Sequence, residues 1–169
     1  GARASHPAIM FPYDRGGHYV GWRAIGPHFD GCFDKPKTAE AGEEPVFNAG
    51  ALYHGGPVFV VESQLDAITI EQEGGRAVAI GGGGLRKLER QIEKKAPAGV
   101  LILCFDNDEA GRKDYEKAAE MLTGKGLPFI KGDICGSAKD PNDLLQQGGP
   151  LRENIASALE NVEQERKKA

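Results

Sequence analysis

Six residues, Val100–Phe105 (VLILCF), run without a charge straight into Asp106-Asn107-Asp108. A strand that is apolar at every position, rather than at alternate ones, has both faces covered, and a parallel sheet between helices meets that condition. The flanking residues fit. Pro57–Val61 (PVFVV) predicts a first strand and Gln64–Gln72 a helix; Ala77–Ile80 predicts a second strand, followed by Gly81–Gly84 and an amphipathic helix over Leu85–Lys95. Beyond the apolar run the pattern predicts a helix over Glu109–Thr123, stopped by Gly124 and Gly126, and a fourth strand over Leu127–Ile130. A short helix over 141–147, opened by Pro141 at its first turn, and an amphipathic helix over Leu151–Arg166 close the chain. Strand–helix alternation joined by right-handed crossovers gives an α/β fold, a parallel sheet of about four strands with helices on both faces.

Residues 1–56 read differently. Short alternating runs predict strands over Ala8–Tyr13, Tyr19–Ile25 and Pro45–Ala49, with Asp14-Arg15-Gly16-Gly17 as a hairpin turn and 27–45 as an exposed loop. The expected organisation is a small strand-rich subdomain (1–56), the α/β domain (57–148) and a C-terminal helix (149–169). No apolar run approaches the roughly 18–20 residues that span a bilayer, which excludes a membrane helix and a membrane partner. The opening Gly-Ala-Arg-Ala-Ser-His, without Met or an apolar signal core, reads as a boundary inside a longer protein. Cys32, Cys104 and Cys135 are odd in number and widely spaced, which argues against a disulfide framework and for a reducing cytoplasm. The 21 basic and 25 acidic side chains leave a formal charge of −4. At face value that opposes nucleic-acid binding, unless the acids are gathered where they hold cations.

Acids stand where strands end. Glu62 follows the first strand with Asp66 one helical turn later; Asp106 and Asp108 follow the third; Lys139-Asp140-Pro141-Asn142-Asp143 follows the fourth. In a parallel sheet these ends share one edge, where α/β chemistry gathers. Any one of them reads well as a helix N-cap, Asp108 and Asp140 in particular. Four at three successive strand ends are harder to explain that way. Carboxylates packed so closely repel, and hard oxygen donors that keep waters favour Mg²⁺ or Mn²⁺.

The segments PVFVVESQLDAI, LILCFDNDEAGRKDYEKAAEML and KDPNDLL, with the glycines between the first two, resemble the TOPRIM domain shared by primases and topoisomerases. F-D-N-D-E-A-G-R-K is most similar to the primases, bacterial and phage-type, and AIMFPYDRGGHYVGWRAIG with PVFNAGALY resembles the strand-rich part of bacterial primase cores. The resemblance covers about residues 8–148 and makes 57–148 a TOPRIM domain. It implies metal-dependent nucleotidyl transfer, the synthesis of RNA primers from NTPs on a single-stranded DNA template in replication, in a phage or mobile element. It implies Asp106 and Asp108 as Mg²⁺ ligands, Asp140 and Asp66 in supporting or second-metal roles, and Glu62 as ligand or acid–base residue. A separate zinc-binding domain and a replicative helicase are the implied partners. The chain departs from the bacterial pattern at Ser63, where Gly is usual, and at Asn142, where an Asp is frequent; the second weakens a second-metal assignment.

Gly81, Gly82 and Gly83 join a strand to a helix, so their N–H groups are candidates to cradle a phosphate, although a plain tight turn fits them equally. Arg112 matches the Arg of the primase motif and, with Lys113, is placed to meet a substrate phosphate; Arg23 and Lys37 stand near positions where bacterial primases use basic residues on template or nucleotide. Tyr19 and Trp22 are candidates to stack on bases. Arg86, Lys87, Arg90, Lys94 and Lys95 give the second helix net +3 over 86–95, a pattern that suits a solvated face. Two other readings stay open: a TOPRIM nuclease that cleaves phosphodiesters, and a non-catalytic TOPRIM module that binds nucleic acid. A topoisomerase requires a nucleophilic Tyr, and none of the four is placed for it.

Overall fold

In the computed structural model, which describes residues 9–15, 18–25, 38–42, 44–81 and 84–168, the chain divides between Pro45 and Val46. The first unit is an antiparallel sheet in the order β1-β2-β3, formed by β1 (Ile9–Arg15), β2 (His18–Ile25) and β3 (Thr38–Gly42). Phe11 and Tyr13, two residues apart and therefore on one face, are both buried, and the Tyr13 hydroxyl donates to Glu44 Oε1 at 3.1 Å. Residues 38–42 lie inside the span expected to be a loop. Their Thr-Ala-Glu-Ala-Gly composition carries no strand signal, and pairing with β2 supplies the structure instead. The expected turn at Gly16 and Gly17 lies outside the described residues.

The second unit, Val46–Ala169, holds a four-stranded parallel sheet in the order β5-β4-β6-β7. Its strands are β4 (Val58–Val61), β5 (Ala77–Ala79), β6 (Leu101–Leu103) and β7 (Phe129–Lys131). The helices are α1 (Gln64–Gln72), α2 (Leu85–Lys94), α3 (Glu109–Gly124), α4 (Pro141–Gln146) and α5 (Leu151–Lys168). Alternation along each strand builds two cores. Phe59, Val61, Ala79 and Ile102 pack with residues of α1, α4 and α5; Val58, Val60, Val78 and Leu103 pack with residues of α2 and α3. The expected α/β architecture with helices on both faces is the one observed.

The unit begins at Val46, against an expected boundary after residue 56. Pro45–Ala49, expected as a strand, contributes only a bridge in which Phe47 and Ala79 exchange N–H···O bonds of 2.8 and 3.3 Å. Asn48 then turns the chain at φ 55° into a 3₁₀ segment, Ala49–Tyr53, which buries Leu52. The Asn48 amide holds the corner by donating to Ala77 O at 2.9 Å and to Glu71 Oε1 at 2.6 Å. Helix α5 also belongs to this unit, because Leu151, Ile155 and Val162 are buried in the first of the two cores.

Candidate metal centre

Parallel strand order brings the ends of β4 and β6 side by side, and the loop after β7 folds back over them. Three carboxylates meet there. Asp66, Asp106 and Asp140 each present an oxygen within 4.8 Å of the other two, the group of metal-ligating type found among the described residues. Asp66 is on α1, Asp106 follows β6 and Asp140 precedes α4, so residues 74 positions apart in sequence face one another.

Asp66 is 3% exposed. Burial pushes its carboxyl up to about 7, the neighbouring Asp140 adds to the rise, and hydrogen bonds from Ser63 and Asn142 oppose it. Ser63 is the N-cap of α1: its Oγ accepts from Asp66 N at 3.1 Å and donates to Asp66 Oδ2. Asn142 N–H reaches Asp66 Oδ1 at 3.2 Å. The Ser-x-x-Asp spacing is a capping pattern legible in the sequence, and it explains a serine where the resemblance leads one to expect glycine.

Glu62 stands outside the three-acid group yet is tied to it. Its Oε1 accepts the backbone N–H of Asp106 at 3.1 Å, which links the end of β4 to the end of β6. Burial and then the charge of Asp106 raise its pKa above the usual carboxylate value. Asp108 is not in the group; it caps α3, accepting from Gly111 N at 2.9 Å. Asp140 does both, since it caps α4 through Asp143 N at 2.8 Å while facing Asp66 and Asp106. The capping reading thus holds for Asp108 and Asp140, and for Asp140 it coexists with the cluster. The resemblance gives Asp66 a supporting or second-metal role behind Asp108, whereas Asp66 belongs to the three-acid group and Asp108 does not.

Lys139 joins the site without being expected there. Its Nζ lies 2.7 Å from Asp106 Oδ2, and this hydrogen bond raises its pKa. The backbone holds the loop that carries it, since Asn107 N donates to Lys139 O at 2.7 Å and Asn107 Nδ2 to Gly136 O at 2.9 Å. The only signal available was a cation directly before an acid at a strand end. Gly111 is set against the Asp106 backbone so closely that a Cβ there would lie 2.0 Å from Asp106 O.

Beside Asp106 opens a cavity of about 390 Å³, lined among others by Phe105, Asn107, Arg112, Tyr115 and Lys131. Arg112 is exposed at its rim. Lys113, one residue on, is exposed and pairs with Glu109 at 2.6 Å. Gly81 adopts φ 59° and donates its N–H to Glu62 O at 2.9 Å, so the glycine loop starts beside the site; Gly82 and Gly83 lie outside the described residues. Arg23 is on β2, opposite Phe11 and Glu40 in register, and Lys37 lies outside the described residues. Cys104 and Cys135 are buried, and burial pushes the Cys135 thiol up to about 12, far from a reactive thiolate.

Hard carboxylate oxygens from three elements, one of them deeply buried, match the donor chemistry of Mg²⁺ or Mn²⁺. Residues 59–145 match the model of a family described as Toprim-like. Over 162 residues, 83% of its length, the chain is 30% identical to the DNA primase of Pseudomonas aeruginosa; over 169 aligned residues, 91% of its length, it is 30% identical to that of Deinococcus radiodurans. It spans 23% and 29% of those proteins, less than a third of either. Among solved structures, a DNA primase domain from Pseudomonas aeruginosa matches with TM-score 0.61 at 27% identity, covering 88% of this chain and 50% of that one. The primase fragment of the bacteriophage T7 primase-helicase matches with TM-score 0.66 at 23% identity, covering 88% and 60%, a likeness of fold.

Proposed function

The chain belongs to the Toprim-like family, and from that premise we propose that it is the TOPRIM part of a DNA primase-like nucleotidyltransferase, which joins ribonucleotides into RNA primers on single-stranded DNA during replication. The observation that carries the reading is the convergence of Asp66, Asp106 and Asp140 from three separate segments onto one point at the strand ends. Those three would hold Mg²⁺ or Mn²⁺, and Asp108 would act in support from the α3 cap. A bound divalent ion would lower the pKa of the primer 3′-hydroxyl and neutralise charge on the triphosphate.

The chain's own residues divide the remaining work. Glu62, with a raised pKa and its Oε1 anchored on Asp106 N–H, is suited to accept the hydroxyl proton. Arg112 at the cavity rim meets the triphosphate, and Lys113 adds charge once it leaves Glu109. The glycine loop from Gly81, including Gly82 and Gly83, offers N–H groups to phosphate, and Arg23 and Lys37 of the first unit meet template or nucleotide. A zinc-binding domain and a replicative helicase complete the assembly, in the cytoplasm. Among the described residues no helix is long and apolar enough to cross a membrane.

The test is to incubate the chain, alone and joined to a zinc-binding primase domain, with single-stranded DNA, labelled NTPs and Mg²⁺ or Mn²⁺. Labelled oligoribonucleotides that disappear in Asp106→Ala support the reading. Shortened or nicked DNA moves the assignment to a nuclease. No product, together with no Mn²⁺-induced broadening of amide signals near Asp66, leaves a non-catalytic module.

A further inference from the structure

Helix α2 has two acids, and the residue that caps the C-terminus of α3 faces both: Lys125 Nζ lies 3.4 Å from Glu89 Oε1 and 3.3 Å from Glu93 Oε1. Leu88 and Ile92 are buried beneath the helix. Of the four cations of α2, Lys87 is half-buried, while Arg86, Arg90 and Lys94 are exposed, each four residues from the next, and none of these three has an ion-pair partner among the described residues. Lys95 is set apart from this row, its Nζ 4.5 Å from the centre of the Tyr53 ring. In a chain of formal charge −4, the two acids of α2 are thus met by Lys125, and the exposed row beside them keeps an excess of positive charge.

The row has a direction. Gly81, at the start of the loop that leads into α2, is hydrogen-bonded to Glu62 O, so the helix begins at the sheet edge that carries the acids and runs back from it. Four residues of helix rise about 6 Å, so three cations form a line about 12 Å long. Evenly spaced guanidinium and ammonium groups with no base-reading aromatic among them suit a phosphate backbone without sequence preference.

We propose that the outer face of α2 is a track for the phosphates of a single-stranded nucleic acid leading away from the acid cluster. The choice of a nucleic acid over another polyanion rests on the primase reading. The track itself rests on the exposed row of Arg86, Arg90 and Lys94. Arg86, Arg90 and Lys94 are positioning residues, which hold a strand by charge and touch no reacting atom.

The test compares the wild type with Arg86→Gln/Arg90→Gln/Lys94→Gln by fluorescence anisotropy, with short and long labelled oligothymidylates across a NaCl series in EDTA. The expected result is a roughly tenfold weaker grip on the long oligomer at low salt, a salt slope reduced by about 2, and little change for the short one. Circular dichroism and Mn²⁺ binding should stay as in the wild type, because the three side chains are exposed. An unchanged salt slope overturns the track, as does a preference for duplex over single strand. Asp106→Ala separates the two ideas: it should bind the long oligomer normally while making no RNA. A protein that makes no RNA but shows the α2-dependent slope loses the catalytic reading and keeps this one; one that makes RNA with no α2-dependent slope does the reverse.

Discussion

Asp66 is the residue where folding and chemistry pull hardest against each other. A carboxyl raised from its ordinary 3.8 to about 7 binds its proton more tightly in the folded chain than in the unfolded one. The stability which that proton contributes is fully present below the unfolded value and is lost as pH rises through about 7. The metal-free chain should therefore weaken, on the order of a few kcal/mol, as pH climbs from 4 to 8. Urea titrations in EDTA read this, and Asp66→Asn should flatten the dependence; a variant that keeps the full slope would show that the burden lies elsewhere. Gly111 is the second sensitive position. A methyl 2.0 Å from the Asp106 carbonyl must displace backbone, so Gly111→Ala should cost about 1–3 kcal/mol and weaken Mn²⁺ binding, measured by denaturation and by line broadening. Asp106→Ala, in contrast, should abolish metal binding and leave the fold nearly intact.

At the scale of elements, caps and cluster share residues. Ser63 closes the N-terminus of α1 and donates to Asp66, so Ser63→Ala should destabilise by about 1 kcal/mol and, with one restraining hydrogen bond gone, move the pH transition of Asp66 upward. Thermal melts at pH 5 and pH 8 compare the two effects. Strands and helices of the second unit were legible because the apolar run at Val100–Phe105 and the helical periodicity leave few alternatives. Glu62, Asp106, Asp108 and Asp140 were legible as acids at strand ends. The seat of Asp66 was not, because its burial depends on α4 packing over α1 and on Asn142 N–H arriving from 76 residues away. Residues 38–42 and 45–49 misled for a related reason: one pairs without a hydrophobic pattern, and the other looks extended but is turned by Asn48 at a positive φ. The ion pair of Lys139 with Asp106 depends on where the loop after β7 lands, which local sequence does not specify.

For the molecule as a whole, the three cluster acids, Glu62 and Asp108 all lie in Val46–Ala169. A polypeptide of those residues should fold and bind Mn²⁺ with an affinity close to that of the whole chain, as isothermal titration can determine; loss of binding would assign part of the site to Gly1–Pro45. The net charge of −4 also reads differently at this scale, since acids gathered at one edge leave α2 free to be basic. The two borders of the parallel sheet carry a separate consequence. Along β5 the border is closed where Phe47 and Ala79 pair, while β7 is the other border, three residues long and ending in Lys131, whose ammonium sits 5.5 Å from the Tyr115 ring centre. A short border with a cation at its end is a poor template for another chain's backbone. The parallel sheet is thereby guarded against edge-to-edge aggregation, so concentrated solutions of a polypeptide of Val46–Ala169 should stay free of cross-β association.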